Sequence, residues 1–185
     1  MQKQQTAADL LFEVGLMHAY TAEIQMHNNL DNMIKHASSA KLKGSFARHQ
    51  EETKKQIERL EKAFEMLGIE ISSSSSRQGE RTSKELATIL AGLKTSDHSK
   101  GMEGIISEGK EMIRHFASTE MGDLALIASA EKVENFEITC YNFLYQCAVK
   151  SNMTEIADML AESLKEEKHA LTQLAHLAKE DLSNL

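Results

Sequence analysis

The sequence predicts an all-α protein, and three observations carry that prediction. The 185 residues include no Pro and no Trp, and aromatic residues make up only 5%. A sandwich or barrel needs many Pro- and Gly-marked turns, and strands rich in β-branched and aromatic side chains, so an all-β architecture is excluded. The chain is built mostly from Ala, Leu, Glu, Lys, Met and Gln, which lose little side-chain freedom on entering a helix. Finally, apolar residues recur at helical spacing along four long stretches.

The first stretch runs from about Thr6 to Ala37, with a seam through Phe12, Leu16, Ala19, Met26, Leu30, Met33 and Ala37. The second covers about Ser39 to Leu67 through Leu42, Phe46, Ile57, Leu60, Phe64 and Leu67, with Gly68 as the stop. A serine run, Ser72 to Ser76, and Arg77-Gln78-Gly79 follow and read as a mobile linker. The capping box Thr82-Ser-Lys-Glu85 opens a short helix through Leu86, Ile89, Leu90 and Leu93. An amphipathic stretch runs from Met102 to Phe116 through Ile105, Ile106, Met112 and Ile113. The third long helix spans about Gly122 to Lys150, and the fourth starts at the capping box Asn152-Met-Thr-Glu155.

Two of the three connections between long helices are tight, while the middle one is about 50 residues long. Short loops make antiparallel hairpins, and a long crossover lets the second and third helices point the same way. That is the connectivity of a ferritin-like four-helix bundle with extra helices in its crossover. The expected organisation is one domain over 1–185, with hairpins at 6–68 and 121–180 joined by 69–120.

Charge and cysteine content narrow the function classes. A net charge of −7 repels nucleic acid backbones and anionic membrane surfaces, so neither is an expected partner. No apolar run approaches the roughly 18 residues a membrane helix needs. The opening residues lack the basic-then-apolar pattern of a signal peptide, so a cytoplasmic location is expected. Cys140 and Cys147 stand two helical turns apart, roughly 10 Å along the axis, which is too far for a disulfide. They read as buried thiols in a reducing compartment.

The informative residues are polar ones that interrupt the apolar seams. Glu23 lies between Ala19 and Met26; His49, Glu52 and Gln56 follow Phe46; Glu134 and Glu137 separate Ala130 from Tyr141; Ser163 and Glu166 precede Ala170. Glu23-Ile-Gln-Met-His-Asn-Asn-Leu30 aligns with Glu137-Ile-Thr-Cys-Tyr-Asn-Phe-Leu144 at an offset of 137 − 23 = 114. Glu52 and Glu166 share that offset, as do Ile57 with Leu171 and Leu60 with Leu174, so the hairpins read as copies of one unit. Residues equidistant from a tight turn share a height, which sets Glu23 level with Glu52 and Glu137 level with Glu166. By the same reasoning His49 faces Met26 and Glu134 faces His169, one turn away.

Burying four carboxylates without compensation would cost several kcal/mol each or force most to be protonated. Two divalent cations would neutralise them, and oxygen-rich ligation with a few imidazoles suits iron or manganese. The expected metal set is Glu23, His49, Glu52, Glu134, Glu137, Glu166 and His169. Glu51, Glu162 and Glu167 border this set and are assigned surface or supporting roles; His18, His27 and His176 are read as ordinary histidines.

The blocks Ala22-Glu23-Ile-Gln25, His49-Gln-Glu-Glu52-Thr53, Glu134-Asn-Phe-Glu137-Ile138 with Tyr141, and Glu166-Glu167-Lys168 resemble the YciE/YciF ferritin-like family over nearly the whole chain. The resemblance implies a rubrerythrin-like bundle, a di-metal centre, homodimerisation and a role in bacterial stress responses. By position it implies Glu23, His49, Glu52, Glu134, Glu137 and Glu166 as ligands. The chain departs from the family in a longer insert from Ile71 to about Lys100 and in His169, which is not typical of it. The wider ferritin-like pattern also has a His three residues after the second helix's Glu, where this chain has Lys55.

Two functions compete at this stage. One is a di-iron or di-manganese protein handling oxygen, peroxide or iron, with Tyr141 or Tyr20 as a nearby proton or electron donor. The other is a non-catalytic helical bundle that acts as a structural or protein-interaction stress protein.

Overall fold

The computed structural model describes residues 6–69, 71 and 98–183. The serine run, the Thr82 capping box and the Leu86 to Leu93 helix lie outside the described residues. Among those described there are five helices: α1 Ala7–His36, α2 Ala40–Leu67, α3 Lys100–Phe116, α4 Gly122–Lys150 and α5 Thr154–Leu182. The architecture is an all-α bundle, as the composition requires.

The helix ends follow local chemistry. Thr6 caps α1 in a reciprocal pair with Asp9, and Ser39 and Ser99 cap α2 and α3. Gly68 ends α2 at φ 70°, and the Ile69 amide bonds back to the Phe64 carbonyl at 2.9 Å. The capping box expected at Asn152 is not formed. Asn152 takes φ 56° to reverse the chain after α4, with its amide on Val149 O and that of Met153 on Ala148 O. Asn tolerates the left-handed region, and here it closes the preceding helix, so Met153 stands at the α5 N-cap without a side-chain bond.

Contacts between helices fix their directions. Asp123, at the start of α4, accepts the Ser38 and Ser39 amides just past the end of α1, at 2.6 and 2.7 Å. Gly15, early in α1, faces Leu144 and Phe143 late in α4, so α1 and α4 are antiparallel. Lys41 pairs with Glu180, and Lys62 with Glu155, so α2 and α5 are antiparallel as well. With tight turns inside each hairpin, α2 and α4 run the same way, as the crossover predicts. The third helix lies outside α4 and α1, with Gly101 against Phe136, Gly109 against Ser129 and the Ser99 amide on Gln25.

The apolar interior is in two parts. One holds Phe12, Leu16, Leu60, Phe64, Leu144 and Leu160; the other holds Met26, Leu30, Leu42, Phe46, Leu126 and Leu174. A polar layer separates them, and it is drawn from all four long helices.

Candidate metal centre

Each long helix sends at least one polar side chain into this layer. Glu23 comes from α1, His49, Thr53 and Gln56 from α2, Glu134 and Glu137 from α4, and Ser163 and Glu167 from α5; none is more than 5% exposed. His49, Glu134, Glu137 and Glu167 each offer a donor atom, and these atoms all lie within 4.8 Å of one another. His49 Nε2 stands 3.4 Å from Glu134 Oε1. Beside them, the Tyr141 hydroxyl donates to Glu23 at 2.5 Å.

Few of these polar atoms have partners. Both ring nitrogens of His49, both oxygens of Glu137 and one oxygen each of Glu23, Glu134 and Glu167 are buried without a hydrogen bond. Such groups ordinarily cost 1–3 kcal/mol or more apiece, so native structures rarely leave them unanswered. Burial first, and neighbouring carboxylates second, hold Glu23, Glu134 and Glu137 well above the usual carboxyl range. Glu167 is raised by burial too, against the pull of His49, Glu134 and Gln56. At His49 burial works downward, but Glu52 and Glu167 outweigh it and the imidazole is raised. Burial and Glu23 hold the Tyr141 phenol neutral far into alkaline pH.

The structure brings together four of the seven residues expected from the sequence: Glu23, His49, Glu134 and Glu137. Glu52 stands at the margin, 3.9 Å from His49 Nδ1, which lowers its pKa. Three placements are corrected. Glu166 turns to the flank and accepts two bonds from Arg59, at 2.6 and 2.9 Å. Glu167, assigned from sequence to the border, takes the central position and accepts from Gln56. His169 is exposed, because α5 is rotated to bring Glu167 inward. Sequence reasoning also missed Arg59, the cation that engages both oxygens of Glu166 at the edge of the layer. Cys140 and Cys147 are free and half-buried, not buried as expected, and the Cys140 thiol is pushed up to about 11 by burial and by Glu23, so it carries no thiolate at neutral pH.

Fold and site together define an all-α bundle protein whose core is interrupted by a buried His/Glu cluster able to hold a metal ion. The family model described as a domain of unknown function, DUF892, matches residues 7–97 and 74–184. The chain belongs to that family. Protein YciF of Escherichia coli K12 is 34% identical over 163 residues, covering 88% of this chain and 85% of that protein. The crystal structure of YciF, described as an E. coli stress protein, superposes with a TM-score of 0.78 at 29% identity, over 98% of this chain and 100% of that one. YcfI of Rhodopseudomonas palustris, for which a structural role has been suggested, matches with a TM-score of 0.74 at 29% identity, over 95% and 97% of the two chains. No described helix is long and apolar enough to cross a membrane.

Proposed function

We propose that this chain is a ferritin-like metal–carboxylate protein that binds iron or manganese in its core and handles oxygen, peroxide or iron in a bacterial stress response. One observation carries the reading: His49, Glu134, Glu137 and Glu167 converge within 4.8 Å, fully buried, with unpartnered donor atoms. A divalent cation supplies what these atoms lack, and three carboxylates with one imidazole suit iron or manganese. The bound ion would supply the redox or Lewis-acid chemistry. The chain's own residues hold and orient the ligands. Gln56 fixes Glu167 by its amide, and the Tyr141 hydroxyl, its oxygen 2.5 Å from Glu23 Oε1, keeps a proton beside the donors. The stress role is drawn from the description of YciF. A cytoplasmic location and a homodimer, implied earlier by sequence, belong to the same proposal; light scattering that gives one chain's mass at micromolar concentration would remove the dimer.

The test is elemental analysis of protein purified without added metal and without a histidine tag. Retained iron or manganese, lost on Glu134→Gln, is the expected result. No metal on isolation and none taken up from Fe(II) or Mn(II) under anaerobic conditions would overturn the reading. A structural protein whose ion only ties the helices together is the second reading, favoured by the near-complete burial of the cluster. Metal retained by protein that consumes neither oxygen nor peroxide would select it.

A further inference from the structure

We propose that the buried centre takes one divalent cation, and that the Arg59 guanidinium permanently holds the place of a second. This rests on the metal reading above and departs from the two-ion centre that the family resemblance implies.

The two hairpins are symmetric in backbone and asymmetric in their polar side chains. Adding 114 to the bounds of α1 and α2 gives 121–150 and 154–181, against Gly122–Lys150 and Thr154–Leu182 for α4 and α5. Two copied hairpins facing each other build two equivalent half-sites, so each ligand on one side has a mate on the other. Two carboxylate pairs are kept, Glu23 with Glu137 and Glu52 with Glu166, and the remaining ligands have no like mate. The mates of His49, Glu134 and Glu167 are Ser163, Tyr20 and Thr53.

None of those three can serve a cation in the layer. The Tyr20 hydroxyl donates outward to Glu61 at 3.0 Å, and the Thr53 hydroxyl donates to the His49 carbonyl at 2.9 Å. Ser163 Oγ accepts from Arg59 at 3.2 Å. The carboxylate left on that side, Glu166, has both oxygens engaged by the same guanidinium, and Gln56 donates to it at 3.1 Å. Glu23, which would have to bridge to a second ion, already has one oxygen taken by Tyr141.

A side chain only 15% exposed therefore puts a fixed positive charge, with its own carboxylate, where the other half has imidazole and free carboxylates. Guanidinium stays protonated at any physiological pH and matches a carboxylate at two points, so this half is complete without metal. A dication placed there would find no free imidazole or carboxylate pair and would meet like charge. The two half-sites have diverged into one metal position and one ion-paired position.

The test is a titration of chelated full-length protein with Mn(II), read as bound metal per chain and as the electron paramagnetic resonance of the bound ion. About one Mn(II) per chain with the six-line pattern of an isolated ion is expected, and Glu166→Gln should leave that count unchanged. Two ions per chain, a spin-coupled pair, or a count that falls in Glu166→Gln would overturn the inference while leaving the metal reading standing. No uptake of Mn(II), nor of Fe(II) anaerobically, would overturn the metal reading and this inference with it.

Discussion

Replacing Glu137 by Leu should stabilise the metal-free protein and destabilise the metal-loaded one. Glu137 is 2% exposed, and neither of its oxygens has a partner. Burial, followed by Glu23, Glu167 and Glu134, holds its carboxyl well above the ordinary 4.5. At pH 7 the unfolded chain releases that proton, whereas the folded chain keeps it or buries an unpartnered charge. One pKa unit corresponds to about 1.4 kcal/mol, so over the interval from 4.5 to 7 the cost is at most about 3 kcal/mol. Leu fills a similar volume without a charge, with a packing mismatch of about 1 kcal/mol. The net expectation in chelator at pH 7 is a gain of about 1–2 kcal/mol, which vanishes near pH 5 and turns into a small loss below it.

With metal present the sign should reverse. An ion at a hundred times its Kd adds about 2.7 kcal/mol to a chain that binds it only when folded. The Leu variant, short of a ligand, forgoes most of that. Urea unfolding followed by circular dichroism, at pH 5 and pH 7 and with either EDTA or Mn(II), reads all four corners. Glu137→Gln is the companion, because its amide replaces a charge problem with an unsatisfied polar group and should gain less. A Leu variant less stable than wild type in EDTA at pH 7, or stabilised by Mn(II) as much as wild type, would refute the reasoning.

Other expectations follow from the same structure. Stability of the metal-free protein should fall as pH rises from about 5 to 8. Glu23, Glu134, Glu137 and Glu167 are raised, so above about 4.5 the unfolded chain binds fewer protons than the folded one; raised His49 acts in the same direction above 6.5. Lowered Glu52 works oppositely, but its contribution is lost only below its ordinary range; urea midpoints in EDTA that rise with pH would contradict this balance. Asp123→Ala strips the Ser38 and Ser39 amides of their shared acceptor and should cost about 2–3 kcal/mol, with Asp123→Asn recovering part of it in the same melts. Gly122→Ala would bring a Cβ to 2.9 Å from the Ala117 carbonyl oxygen, a backbone atom with little room to yield; a loss of about 1–3 kcal/mol, or several degrees in Tm, is expected by thermal melting.

The fold was legible because helix periodicity, tight turns and the 114-residue repeat are all one-dimensional signals, and the observed ends of α4 coincide with those read from the apolar pattern. Turn chemistry was less legible at Asn152, whose sequence context fits an N-cap equally well. One residue can close α4 or open α5, and only the backbone angle shows which. The site was legible to within one residue on α5. Matching heights across a turn fixes position along the helix axis to about a residue, but not rotation about it, and neighbouring residues differ in direction by about 100°. Glu166 and Glu167 satisfy the height argument almost equally and point to different places.

A finer signal that separates them is present in the chain. Buried residues of a left-handed bundle recur every seven positions, because 3.5 residues per turn keep a row facing its partners. Leu16, Glu23 and Leu30 form such a row on α1; Leu42, His49, Gln56 and Ala63 form one on α2; Ala130, Glu137 and Leu144 form one on α4, and all are buried. Ile127, Glu134, Tyr141 and Ala148 make another, and on α5 Leu160, Glu167 and Leu174 do the same. Every residue of the buried His/Glu cluster thus occupies a place where its own row demands an apolar side chain, whereas Glu166 and His169 occupy none. Five rows broken at neighbouring levels by groups that can bind a cation are costly for a bundle that needs only to fold. Apolar residues there would join the two halves of the core and remove the unpartnered atoms. Thr53 on α2 and Glu167 on α5 stand at places related by the 114-residue offset, and the guanidinium of Arg59 lies on one side only, which is the asymmetry that the one-ion proposal requires.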